Sequence, residues 1–506
     1  MTPADPDWQV FEIVQTWPER AAADSVHYCG VNLGHAVRRS VTQALAERMR
    51  PLAYPALAER DAQFRDAWGL DAEPRTPAAR VRRMLKHRII PETLGRLAGA
   101  ATPLRARRIR ATTAEPRLLV KATSRLDALI RAESFDLPGS VVFAGATPRG
   151  AGNSPYVPVL PKGLPPRSAF RKFRAALSRG LQDFGFELDS RTLDALVDDA
   201  RFEAARIAAV RRALDAIAPS AILLHDDPSP EGLTWALAAR PHGIPTLAFA
   251  HGLDCERFFL DPVYASAKCV WGPERADRIR ATARRLHGDQ TDAPPVHVTG
   301  NPAYDGLAPP AEPASGGTRW LWVTRPHTPH KCFTPGRFPI EGADILDALL
   351  DALRQVPDAH LTIKPHPADY SQIYERKAAD AGLQTRVTLR HDALEALFPE
   401  TDVVIAEDST AALDACLAGK PIVHAHFAPS PAVLPLVATG AARPGFDAAT
   451  CIRSLVHQTA QTPETRTHMF QQQRAFTGLE TAFSDSATRS SIREIIDRML
   501  ARSQNT

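Results

Sequence analysis

The stretch Trp320–Pro421 decides the fold. It runs WLWVT (320–324), ADILDALLDALRQV (343–356), HLTIKPHP (360–367), YSQIYERKAADAG (370–382), RVTL (386–389), ALEALFPE (393–400), DVVIAEDS (402–409) and TAALDACLAG (410–419), and it leads into PIVHA (421–425). Short apolar runs rich in Val, Ile, Leu and Trp alternate with segments in which apolar residues recur at helical spacing. That alternation predicts a doubly wound α/β sheet with parallel strands.

The same period is read upstream. FEAARIAAVRRALDAI (202–217) is a helix stopped by Pro219, and AILLH (221–225) is a strand running into Asp226 and Asp227. EGLTWALAARPHG (231–243) is a helix, and IPTLAFAHG (244–252) is a buried strand entering a glycine turn. AKCVWG (267–272), PERADRIRATARRLHG (273–288) and VHVTG (296–300) continue the pattern, so a first sheet is expected to reach about Gly300. APPAEPASGGT (308–318) has no period and reads as a linker.

The expected organisation is therefore an N-terminal region over 1–200, a Rossmann-like core over 201–307, a linker over 308–318, a nucleotide-binding Rossmann-like domain over 319–462 and a helical tail over 463–506. A chain of 506 residues with 44% hydrophobic residues supports more than one core. The tail could cross back onto the first domain or pack on the second. Residues 78–131 are Arg- and Ala-rich, with RVRRMLKHR and LRARRIR broken by prolines, and predict short basic helices. Their bland reading is a solvated face of long side chains over a core, and the functional one is peripheral contact with an anionic membrane or a polyanionic acceptor.

The balance of 61 basic and 57 acidic residues leaves a net +4, which gives no nucleic-acid signature. Cys29, Cys255, Cys269, Cys332, Cys416 and Cys451 are scattered without a CxxC pair or zinc spacing, as suits a reducing compartment. The amino terminus lacks the pattern of a secretory signal, and no run approaches the roughly 20 apolar residues that span a bilayer. A cytoplasmic protein is expected, with the inner face of the membrane as a place of peripheral contact.

Parallel sheets bind ligands beyond the carboxyl ends of their strands. Three loops there carry chemistry: Thr324-Arg325-Pro326-His327, Lys364-Pro365-His366-Pro367 and Glu407-Asp408-Ser409-Thr410. The prolines stiffen a cation and an imidazole in one loop, and the two hydroxyls stand at a helix N-terminus, where an anion gains hydrogen bonds and the favourable end of the dipole. Ordinary capping of that helix by Asp408, Ser409 or Thr410 is the competing reading. There is no G-x-x-x-x-G-K-[ST] loop and no G-x-G-x-x-G fingerprint.

With HGL at His251, GNPAYD at 300–305, KPHP at 364–367 and EDSTAALDACLAGKPIV at 407–423, the chain resembles bacterial surface-polysaccharide transferases of the GT-B fold. That group includes capsule glycosyltransferases, CDP-glycerol glycerophosphotransferases and transferases of CMP-activated acidic sugars, with UDP-N-acetylglucosamine 2-epimerases as wider relatives. The resemblance covers about residues 219–425. It implies two facing Rossmann-like domains and a nucleotide-activated sugar donor held mostly by the second. Lys364, His366, Ser409 and Thr410 would then meet the donor phosphates, beside the guanidinium that Arg325 could add to the same cleft from its loop, and Glu407 or Asp408 the ribose or base. His251 would be the base on the acceptor hydroxyl, with Asp226 and Asp227 as rivals. The implied acceptor is a surface polysaccharide or lipid-linked glycan, with no cofactor and no metal, since no DxD stands in a suitable strand-end context. The alternatives are a CDP-polyol phosphotransferase, a 2-epimerase-type isomerase and a non-catalytic partner in polysaccharide assembly. Two departures bear on these: Asp-Ser-Thr replaces the epimerase Ser-Gly-Gly turn, and the aromatic acceptor-side features of the glycerophosphotransferases are not found.

Overall fold

Strands buried on both faces and separated by amphipathic helices pair in parallel. In the computed structural model, which describes residues 5–70, 104–113, 115–121, 137, 139–145, 155–250, 252–253, 256–289, 293–304, 317–460, 462–481 and 487–503, they form two such sheets. After a small antiparallel hairpin of β1 (His27–Tyr28) and β2 (Val31–Asn32), the first sheet contains β3 (Arg117–Lys121), β4 (Ser140–Gly145), β5 (Tyr156–Pro158), β6 (Ala221–His225), β7 (Thr246–Phe249), β8 (Ala267–Val270) and β9 (Val296–Val298). Its order is β5-β4-β3-β6-β7-β8-β9. The second contains β10 (Arg319–Val323), β11 (His360–Lys364), β12 (Val387–Leu389), β13 (Val403–Ala406), β14 (Ile422–Ala425) and β15 (Arg443–Gly445), ordered β12-β11-β10-β13-β14-β15. Numbered within each sheet, both begin 3-2-1-4-5-6, the Rossmann order. Two such domains facing each other form the GT-B fold.

The first sheet takes in β3, β4 and β5, which lie upstream of Arg201, where the periodic reading begins. The 1–200 region thus supplies part of that sheet as well as helices. Those helices, Pro6–Arg20, Arg38–Ala53, Arg171–Gln182 and the start of Ser190–Ile217, share one core with it through Trp17, Leu45, Leu177 and Ile222. The long helix is capped by Asp189, whose carboxylate accepts from Thr192 N, and it ends where Ala218 turns left-handed (φ 48°) before Pro219.

The second domain folds around Trp320, Trp322, Leu346, Leu349, Ile363 and Val403. Helix Glu341–Gln355 presents Ile345, Leu346, Leu349 and Leu353 to that core and carries Glu341 and Asp344 in its first turn, where the dipole favours acid. Of the tail, helix Pro463–Glu480 packs Phe476 against Leu413, on the helix Thr410–Leu417 of the second domain. Helix Ala487–Ser503 lays Ile492, Ile495, Ile496 and Leu500 against Leu118, Leu223 and Phe249 of the first sheet. Both open readings of the tail therefore apply, each to one helix.

The N-terminal helices also bridge to the second domain. Asp7 Oδ1 accepts from Gly336 N at 2.9 Å, Asp61 Oδ1 accepts from Ile340 N at 2.9 Å, and Arg50 donates to the Cys332 carbonyl at 2.5 Å. The basic run 78–131 and the linker 308–318 fall largely outside the described residues. Among the described residues, no helix is long and apolar enough to cross a membrane.

Candidate functional site

In a Rossmann sheet the loops leaving strands 1 and 4 diverge to opposite faces and leave a crevice between them. Here those strands are β10 and β13, with β11 on the other side of β10. Val323 lies in register with both Lys364 and Ala406, so the loops beginning at Thr324, Pro365 and Glu407 leave the sheet at one level. The three loops singled out in the sequence stand side by side.

They are tied by a hydrogen-bond network. Thr324 Oγ1 accepts from His366 N at 2.9 Å and donates to Asp369 Oδ2 at 2.7 Å, and Tyr374 donates to the same oxygen at 2.6 Å. Asp369, within the loop, fastens the KPHP turn to the loop after β10. His366 is exposed, and its Nδ1 accepts from Ala368 N at 3.1 Å, so the neutral ring carries its proton on Nε2. Lys364 is partly exposed at the strand end.

Glu407 and Asp408 face inward. Glu407 accepts from Arg325 N at 3.1 Å and pairs with His327 at 3.0 Å. Burial pushes its carboxyl up, but His327 and Arg325 outweigh burial and hold it below the usual carboxylate range. For His327 burial works the other way, and Glu407 raises the imidazole above its ordinary value despite it. The Arg325 guanidinium lies 2.7 Å from Glu256 of the first domain, in a pair 2% and 4% exposed. Asp408 accepts from Val433 N and Leu434 N at 3.1 and 3.0 Å and lies 2.7 Å from Arg337 and 3.2 Å from both His424 and His426. Burial would raise its carboxyl, but the two histidines and Arg337 hold it far below the ordinary value.

The two hydroxyls are placed differently. Ser409 is the N-cap of helix Thr410–Leu417 but makes no capping hydrogen bond, and its Oγ is buried without a partner. Thr410 Oγ1 accepts from Leu253 N at 3.0 Å, across from the turn that follows β7. Neither hydroxyl caps the helix. The amides of Thr410 and Ala411 remain as its first-turn donors, while Ala412 N reaches Ser409 O at 3.1 Å.

On the first-domain side, Asp227 is fully buried. It pairs with Lys268 at 2.9 Å and accepts from Tyr264 N at 2.5 Å and Ala265 N at 3.0 Å. Asp226, at the end of β6, is buried in the left-handed region (φ 74°), a conformation that costs a non-glycine residue about 1–3 kcal/mol. His251 lies outside the described residues. Gly252, next to it, abuts the second domain: a Cβ added there would fall 2.6 Å from Thr410 Oγ1. Tyr304, of the GNPAYD segment, donates to Asp414 on the same helix at 2.7 Å and meets Trp271 edge-on. Gly252→Val is accordingly expected to displace Thr410 Oγ1 from Leu253 N and lower the melting temperature with little change in secondary structure, checked by scanning calorimetry beside circular dichroism. An unchanged melting temperature would show that the two faces need not meet this closely.

Several residues of this region were not among those singled out. Glu256, Arg337, His424 and His426 have no motif of their own, although the His-x-His spacing at the end of β14 puts two imidazoles on one strand face. His327 stands in a quoted loop but was passed over for Arg325.

No curated protein matches the chain. Among solved structures it is similar to the S. aureus MnaA–UDP complex (13% identity, 75% of this chain and 95% of that one, TM-score 0.47) and to Methanocaldococcus jannaschii UDP-GlcNAc 2-epimerase with UDP-GlcNAc and UDP (11%, 76% and 99%, 0.44). It is also similar to the wall teichoic acid polymerase TagF (9%, 85% and 100%, 0.42). Residues 333–428, which hold the KPHP loop and the turn into helix Thr410–Leu417, match the family described as "Capsule polysaccharide biosynthesis protein", and over that segment the chain resembles this capsule-type group.

Proposed function

We propose that this chain is a glycosyltransferase that moves a sugar from a CMP-, CDP- or UDP-linked donor to a surface-polysaccharide or lipid-linked glycan acceptor. The observation that carries the reading is the uncapped helix N-terminus at the switch point of the second sheet, where the buried Ser409 Oγ has no partner and exposed His366 stands on the adjoining loop. A donor phosphate there would accept from the amides of Thr410 and Ala411 and from Ser409, in the field of the helix dipole. Lys364 and His366 add positive charge and a hydrogen-bond donor.

In the reaction the acceptor hydroxyl attacks the activated carbon, the bond to the nucleotide phosphate breaks, and the acceptor proton passes to a base. The phosphate leaves with added negative charge, which Lys364, His366 and the helix N-terminus stabilise more strongly than they do the ground state. His251 is the proposed base; Asp227 has its oxygens taken by Lys268 and two backbone amides. Glu407, Asp408 and Arg325 act through the loops they hold, since each is buried in pairs within the protein. The match of residues 333–428 to a capsule-polysaccharide family supports the glycan side of the proposal.

A nucleotide at one hundred times its Kd should stabilise the chain by about 2.7 kcal/mol, read as a rise in melting temperature over a panel of CMP, CDP, UDP and their sugars. No shift with any of them would sink the proposal and favour a non-catalytic assembly partner. With a binding donor in hand, phosphorus NMR of the product separates a glycosidic bond from the phosphodiester of a polyol-phosphate transferase, and turnover without acceptor would indicate an isomerase.

A further inference from the structure

β14 runs into Ala425-His426, and its alternation turns His424 and His426 toward Asp408 at the end of the neighbouring β13. All three side chains are buried, His424 and Asp408 completely. One potential ligand atom from each lies within 4.8 Å of the others, with His424 Nε2 3.2 Å from Asp408 Oδ1 and His426 Nδ1 3.2 Å from Asp408 Oδ2.

The hydrogen bonding of His426 distinguishes this cluster from a simple histidine–aspartate pair. Its Nε2 lies 2.6 Å from the Ser430 carbonyl, which can only accept, so Nε2 carries a proton. In the neutral ring Nδ1 then presents a lone pair. That atom is buried, makes no hydrogen bond and lies against a carboxylate oxygen. Asp408 Oδ2 already accepts from Arg337 and Val433 N and has no proton to give, so Nδ1 faces it without a bond unless a cation lies between them. Arg337 does not leave the cluster neutral: its guanidinium lies 2.7 Å from Asp408 but also 3.4 Å from Glu341, so one positive charge serves two carboxylates.

We propose that Asp408, His424 and His426 bind a divalent transition-metal ion, with Zn2+ the best fit to one carboxylate and two imidazoles. Imidazole and carboxylate ligands suit zinc, and the hydrogen bond from His426 Nε2 to a backbone carbonyl is the arrangement that fixes the tautomer and orientation of a metal-bound histidine. The ion has three protein ligands and an open fourth position. It joins the end of β14 to Asp408, the residue preceding Ser409 and Thr410, and takes no part in any transfer step. The site does not depend on the glycosyltransferase reading, because it requires only these three side chains.

The full chain, prepared without a metal-binding tag and stripped with a chelator, is equilibrated with Zn2+ or Co2+ and desalted. Elemental analysis is expected to find about one ion per chain. Co2+ should give visible d–d absorption, and Zn2+ should raise the melting temperature of the stripped protein. His424→Gln and His426→Gln should lose the ion, while His457→Gln, an exposed histidine on helix Ala448–Thr459, should keep it. Absence of stoichiometric Zn2+ and Co2+ uptake by the folded wild-type chain overturns the proposal. Undiminished uptake by both glutamine variants overturns it as well.

Discussion

Asp408→Ala is expected to destabilise the second domain by about 3–5 kcal/mol, the range found when one partner of a buried ion pair is removed. The carboxylate is fully buried, and its two oxygens accept from Arg337, His424 and the amides of Val433 and Leu434. Alanine removes the carboxylate that lies 2.7 Å from the buried Arg337 guanidinium, and it strips the half-buried amide of Val433 and the buried amide of Leu434 of their acceptor. The desolvation of these orphaned donors is part of that loss. Asp408→Asn retains an oxygen for the amides and should lose less. Chemical denaturation followed by tryptophan fluorescence includes this domain, since two of the seven tryptophans, Trp320 and Trp322, sit in its core. An alanine variant that unfolds within about 0.5 kcal/mol of wild type, the range of ordinary surface substitutions, would show that Arg337 does not depend on this carboxylate.

His366→Ala should behave in the opposite way, leaving the fold intact and lowering transfer. The side chain is exposed, so its removal should change stability by no more than about 0.5 kcal/mol. If its Nε2–H meets the donor phosphate as the bond to the sugar breaks, the loss resembles removal of one oxyanion donor, about 100- to 1,000-fold in kcat. The split between kcat and KM carries the diagnosis. A fall in kcat at unchanged KM places the contact in the transition state, whereas a rise in KM alone places it in ground-state binding. Transfer at the wild-type rate by a folded His366→Ala protein would remove the KPHP loop from the proposed reaction.

The contrast between these residues shows how much of the site was legible. Lys364, His366, Ser409 and Thr410 are placed at or just beyond strand ends by sequence alone, because the apolar runs before them are unmistakable and loop position follows directly from the strand period. Glu407 and Asp408 came from the same reasoning, but whether a carboxylate turns toward a ligand or into the core depends on the partners folding brings to it. Those partners are His327 for Glu407 and Arg337, His424 and His426 for Asp408. Asp226 and Asp227 make the same point. They are adjacent in sequence, yet one adopts a left-handed backbone and the other is buried against Lys268.

The sequence by itself determined the local, periodic features: the strands and helices of residues 201–300 and 319–425, the loops at the strand ends, and the helix stop at Pro219. These follow from side-chain alternation and backbone sterics within a few residues. Tertiary structure alone decided what depends on distant segments meeting. It placed β3–β5 in the first sheet, sent helix Ala487–Ser503 back to cover that sheet, and set Leu253 against Thr410, Glu256 against Arg325 and Asp7 against Gly336. Burial is the physical reason. A charged or polar group is costly to bury until a partner satisfies it, and for these groups the partner lies tens to hundreds of residues away, where no local pattern records it.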